Sequence, residues 1–163
     1  MSKQFWTFLG IGLAVVAVGI FFTLFATKGS HLDLDGKILK VRVLSLNPNA
    51  SIVVVDFRAK NPSDIGFLVK NVTMTLEPST GEPVDGTPIS KFDVENVFKY
   101  EKLLGTKYND VLSIRDKIAP HQTVDRMVGA RFELSDSAID SRKAIRLAID
   151  DMDGAVAQIV EKK

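Results

Sequence analysis

The chain has 163 residues, a formal net charge of +1 and no cysteine. Near-neutral charge excludes the clustered basic face of an electrostatic nucleic-acid binder and the solvating acidic tail of a disordered one. Zero cysteine removes disulfide scaffolds, thiol catalysis and Cys-based zinc sites together.

From Gln4 to Thr27 there is no charged residue, and Val, Ile and Phe fill the middle. As a helix this run would be roughly 36 Å long, against about 30 Å of bilayer hydrocarbon. Trp6 stands where an interfacial ring would anchor, and Lys3 and Lys28 bracket the ends. The run is too long for the apolar core of a cleaved signal peptide and lacks an Ala-x-Ala exit. Residues 1–28 are therefore expected to be an N-terminal transmembrane helix and residues 29–36 a juxtamembrane linker. Three residues before the span leave no soluble function on that side. The expected location is the cell (inner) membrane, single-pass, with the C-terminal domain extracytoplasmic, in a periplasm or comparable space. Gly10 and Ala14 have the small-xxx-small spacing that lets two membrane helices approach, so they are the candidate helix-pairing residues for a weak homodimer.

Residues 37–154 read as one domain, and 155–163 as a tail that frays or forms a short helix. Lys37–Leu44 alternates, placing Leu39, Val41 and Val43 on one face and Lys40 and Arg42 on the other. After the Asn47-Pro48-Asn49 turn, Ser51–Lys60 is rich in β-branched residues. Asn61-Pro62 breaks it, and Phe67–Glu77 resumes with Leu68, Val72, Met74 and Leu76 on one side. Residues 78–88 carry Pro78, Pro83, Pro88, Gly81 and Gly86, which predicts a hairpin-like loop before an edge strand. Next comes a helical insertion, with Asp93 as its cap, Val94, Val97, Phe98 and Leu104 on one face, and Gly105 at its end. Val124–Leu134 returns to strand, with Arg126 interrupting its inward row at a strand end or against an acid. Ser135–Asp140 is a turn or one helical turn, and Lys143–Ile149 is a strand with Ile145, Leu147 and Ile149 on one face. Short, turn-punctuated, alternating strands with one helix predict a mainly β fold, a two-sheet antiparallel sandwich.

The run Ser51–Gly86 resembles the type-2 late embryogenesis abundant domain, also called the water-stress-and-hypersensitive-response (WHy) domain. The features are the β-branched strand Ile52–Phe57, Asn61-Pro62, the hydrophobic strand Phe67–Leu76, then Gly81 and Gly86. Ile118–Leu134 is similar, more loosely, to that family's later proline-turn-then-strand element. The resemblance implies an immunoglobulin- or fibronectin-III-like sandwich, often membrane-anchored, with a desiccation or stress role and no agreed catalytic residues.

Chemistry has little foothold. His31 and His121 lack a nucleophile context such as Gly-x-Ser-x-Gly. Asp33-Leu34-Asp35-Gly36 and Asp151-Met152-Asp153-Gly154 fail the calcium-loop spacing and read as turns flanking strands. No enzyme activity, cofactor, metal or nucleic-acid binding is expected. The expected function is binding or stress protection in the cell envelope. The alternative is an assembly adaptor that docks a protein partner through the loops at 78–108. Phe92, Phe98, Tyr100 and Tyr108 are the candidate partner-binding residues, because aromatics dominate interface hot spots.

Overall fold

A computed structural model describes Gly12, Leu13, residues 16–21 and residues 33–162. The chain divides into two compact units, Met1–His31 and Leu32–Lys163. In the first, Gly12, Leu13 and residues 16–21 are helical. Among the described residues no helix is long and apolar enough to cross a membrane. Most of the expected span Gln4–Thr27, with Gly10 and Ala14, lies outside the described residues, as does His31.

The second unit is a mainly β sandwich of two five-stranded sheets. Its strands are β1 (Asp35–Asn47), β2 (Ala50–Lys60), β3 (Phe67–Glu77), β4 (Val84–Asp85) and β5 (Thr87–Pro88). Helix α1 (Lys91–Tyr100) and a 3-10 turn (Lys102–Leu104) follow, then β6 (Asp110–Val111), β7 (Lys117–Ile118) and β8 (Thr123–Phe132). Helix α2 (Asp136–Asp140), β9 (Ala144–Asp151) and β10 (Val156–Lys162) complete it. Sheet 1 runs β1-β2-β8-β5, with β6 also on β8, and sheet 2 runs β10-β9-β3-β4, with β7 also on β3. Every pairing is antiparallel except β6 with β8.

Between the sheets the inward residues are those that period-2 alternation selects. Val53, Val55 and Phe57 of β2 meet Val128, Ala130 and Phe132 of β8, opposite Ile145, Leu147 and Ile149 of β9. At full burial, side chains of this kind contribute about 1.5–3 kcal/mol each.

Several expectations change. In β3 the register slips between Val69 and Asn71, and Phe67 and Val69 enter the core while Leu68, expected inward, is exposed. In β1 the register slips between Ile38 and Lys40. The bulge leaves Leu39 exposed, and Ile38 joins Val41 and Val43 against the core instead. Arg42, expected among the solvated residues of β1, is buried. The expected tail is strand β10, with Ala157 and Ile159 in the core. Asp35-Gly36 begins β1 rather than a turn, and the expected linker contributes Leu34 to the core. Asp151–Gly154 is a turn: Gly154 has φ 93°, and Asp151 accepts from the amides of Leu68 and Asp153. Arg126 lies within β8, on the row of Val124 and Val128, and its guanidinium donates to the carbonyl of Asp125 rather than to an acid.

Candidate functional site

Helix α1 starts where Ser90 Oγ accepts the amide of Asp93 (3.1 Å) and donates to the Asp93 carboxylate (2.6 Å). Ser90, not Asp93, is thus the cap, and Asp93 completes a reciprocal capping pair. The helix ends at Tyr100; the amide of Glu101 closes it on Val97 and the tighter turn to Leu104 follows.

Inward, Val94, Val97 and Phe98 pack on Ile52, Val54, Val111 and Met127. These four lie on the outer face of sheet 1, so β2 is covered on both sides and all but two of its residues, Arg58 and Lys60, are buried. Contact between helix and sheet is tight at Gly129 on β8, where a Cβ would meet Ile89 and Val94 at 2.8 Å. Glycine is what lets the two approach.

Under the far end of the insertion lies an ion pair. Arg42 Nη1 of β1 stands 3.0 Å from Asp56 Oδ2 of β2, each side chain 4% exposed. The pair is not aligned as a hydrogen bond, and Arg42 Nε also lacks a partner. The insertion supplies the rest: Asn109 Nδ2 donates to Asp56 Oδ1 (2.8 Å), and Arg42 Nη2 donates to the carbonyl of Thr106 (3.3 Å). The rings of Phe98 and Tyr108 stand 5.1 and 5.7 Å from the Arg42 guanidinium carbon. Both lie within cation–π range, where the ring quadrupole offsets part of the lost hydration.

The four expected aromatics therefore divide. Phe98, half-buried, closes over Arg42 and holds the insertion down, whereas Tyr108 turns one ring face to the guanidinium and is itself 73% exposed. Phe92 and Tyr100 are 70% and 71% exposed, and Leu103 of the following turn is 92% exposed. Residues 78–82 and Val84 line a separate open hollow with Leu134, Ser137, Ala138 and Ser141. A second feature sits at the sheet edges, an apolar groove of about 550 Å³ lined by Val72 and Met74 of β3, Pro88–Lys91, Val111–Ile114 and Val128–Ala130.

The buried Arg42–Asp56 pair escaped sequence reading because Arg42 alternates correctly for a solvated face. One signal pointed to it: Ile52–Val55 is a continuous apolar run, which marks a strand covered on both sides.

His121 sits in a turn at φ 57° and pairs with Asp64 at 2.9 Å, both side chains well exposed. Asp116 instead accepts the amide of Ser113, and Asp125 pairs with Arg58. Among the described residues no three His, Cys, Asp or Glu side chains gather as a metal site would require.

No protein-family model matches the sequence, and the curated proteins contain no match. Among solved structures, the archaellum periplasmic stator protein FlaG from Sulfolobus acidocaldarius is similar at TM-score 0.36 and 12% identity, over 78% of this chain and 99% of that one. An uncharacterised β-sandwich protein from Clostridium difficile 630 is similar at TM-score 0.38 and 14% identity, over 80% and 86%. The FlaF–FlaG stator complex from the same Sulfolobus gives TM-score 0.30 and 14% identity, over 77% and 87%. These likenesses are loose, and no functional argument rests on them.

Proposed function

We propose that the chain is a single-pass membrane protein carrying a WHy-like sandwich of immunoglobulin or fibronectin-III type outside the cytoplasm, where it docks a protein partner without catalysis. The anchor is the uncharged run Gln4–Thr27. Two details support the WHy reading. Asn61 is buried, donates to the carbonyls of Ile65 (2.7 Å) and Ile118 (3.2 Å) and accepts from Ser63, so the Asn-Pro dipeptide organises the β2–β3 turn. At Gly86 a Cβ would press within 2.6 Å of Phe132, so the second glycine admits β8.

The observation that carries the docking reading is the two-sided character of α1. Its inner face is locked to sheet 1, while Phe92 and Tyr100 face water. A pinned helix with exposed aromatics loses little conformational entropy on binding, which favours hot-spot contacts.

The test is affinity purification of the full chain from membranes, as wild type and as Phe92→Ala/Tyr100→Ala. A stoichiometric partner lost in the double variant, with an unchanged melting temperature, is the expected result. Retention of that partner would sink the docking site. Absence of any partner, with wild type and variant equally suppressing aggregation of unrelated proteins on drying, would favour stress protection instead. Phe98→Ala is unsuitable for this purpose, since that ring belongs to the cover over Arg42.

A further inference from the structure

Sheets end in edges, and the edges of this sandwich are treated unequally. Strand β1 carries irregularities at Ile38/Lys40 and Ser45/Asn47 and presents Lys37 and Lys40, devices that discourage strand addition. The opposite edges are covered in pieces by the two-residue strands β4 to β7, with Pro88 among them. Strand β10 has no such irregularity, and Lys162 lies at its very end. It pairs with β9 over Val156–Lys162 without a register shift.

The ladder fixes which groups of β10 are free. The amide of Asp151 donates to the carbonyl of Ala155, so Ala155 and, in register, Ala157, Ile159 and Glu161 direct their backbone groups to β9. Val156, Gln158 and Val160 then turn theirs to the open edge. Their side chains share the outer face of sheet 2, with Val156 52% and Val160 40% exposed. Glu161, the one acid on the strand, is held by Arg142 at 2.8 Å.

The segment Val156-Ala157-Gln158-Ile159-Val160 is palindromic in character about Gln158. An antiparallel copy centred there sets Gln158 against Gln158, Val156 against Val160 and Ala157 against Ile159. In that register, and in none shifted by one residue, every open-edge residue faces another open-edge residue, as a hydrogen-bonded ladder requires. Exposed Val meets exposed Val on the outer face, and Lys162 falls opposite Gly154, so no like charges oppose one another. A twofold axis through Gln158 makes the contact isologous and closed.

We propose that β10 is a self-pairing edge, and that its partner is β10 of a second copy of this chain. The two sandwiches then share a continuous antiparallel sheet, β4-β3-β9-β10 meeting its symmetry mate. This leaves the exposed aromatics of α1, on the other sheet, free.

The chain has no cysteine, so Gln158→Cys introduces its one thiol. Opposed residues of a hydrogen-bonded antiparallel pair stand about 5.5 Å apart between Cα atoms. Two copies of position 162 would be roughly 27 Å apart along the ladder. Full-length chains in detergent micelles, treated with a short bis-thiol cross-linker, are expected to give covalent dimer for Gln158→Cys and none for Lys162→Cys. Adding Val160→Pro to Gln158→Cys removes an amide that faces the open edge, which an edge strand tolerates. It is expected to abolish the cross-link while the melting temperature holds. Equal linking at 158 and 162, persistence with Val160→Pro, or a folded dimer that does not link at 158 would each overturn the proposal.

Discussion

The two sheets turn very different backs to their surroundings. Behind sheet 1, α1 and Asn109 bury Ile52, Val54, Met127 and the Arg42–Asp56 pair. Behind sheet 2, Thr73, Thr75, Arg146, Asp150 and Gln158 are half-buried or exposed, and the apolar side chains Val156 and Val160 lie only along the β10 edge. One face thus forms a second, smaller core with a charge inside it, and the other remains a conventional solvated surface. What sets them apart is the residue chemistry of β2: its outward side chains are apolar or paired, so they demanded a lid.

The sharpest way to break this comparison is to unpair the charge. Asp56→Ala leaves the Arg42 guanidinium buried with only a carbonyl and two rings. It is expected to cost about 3–5 kcal/mol, because an uncompensated buried charge retains its full desolvation penalty. Urea denaturation measures this, and the double replacement Arg42→Met/Asp56→Leu should recover most of it by removing both charges.

Next in size is the lid itself. Phe98→Ala is expected to lose roughly 2–3 kcal/mol, combining apolar burial with the cation–π contact. Phe92→Ala on the other side of α1, and Thr73→Ala behind sheet 2, should each stay within about 0.5 kcal/mol. If Phe92 proved as costly as Phe98, the two-sided description of α1 would be wrong.

The smallest effect lies on the part of sheet 1 that stays open to water, where Arg58 of β2 grips Asp125 of β8 with two hydrogen bonds of 2.6 and 2.7 Å. The hydrogen bonds from Arg58, and its charge, hold the Asp125 carboxyl below its ordinary value despite an opposing desolvation. A carboxyl lowered in the folded state stabilises the fold above its unfolded pKa and loses that contribution as pH falls through the folded one. Wild type should therefore lose slightly more stability than Asp125→Asn between neutral pH and acid. The difference is small, because solvent screens an exposed pair. An acid titration of the denaturation midpoint would show the two curves converging. Parallel curves would mean that the pair is not formed in solution.

Alternation, turn residues and β-branched runs were enough to read the sandwich: β2, β3, β8 and β9 fall where the sequence predicts, with Ile145, Leu147 and Ile149 inward. They were insufficient wherever a contact distant in the chain decided the outcome. Leu39 keeps the strand period yet is bulged out, because the register of β1 on β2 slips between Ile38 and Lys40 and leaves Ile38 on the core side. Tail residues 156–162 have no strong pattern of their own, and β9 supplies the ladder that makes them a strand. The candidate site was half legible. Its location on the insertion and its four aromatics were read from composition. That Phe98 and the largely exposed Tyr108 stand over Arg42, while Phe92 and Tyr100 face water alone, depends on where β1 and β2 place a charge.

By itself, then, the sequence determined the β class, the order of the main strands, the helical insertion and the lack of any familiar catalytic pattern. These follow from local rules, the two-residue period of a pleated strand and the backbone limits of proline and glycine. Only the tertiary structure decided that Arg42 is buried, that α1 roofs one sheet, and that β10 is left as a bare edge. Burial and strand pairing are made by residues far apart in the chain, and no local pattern reports which neighbour a side chain or an amide will meet.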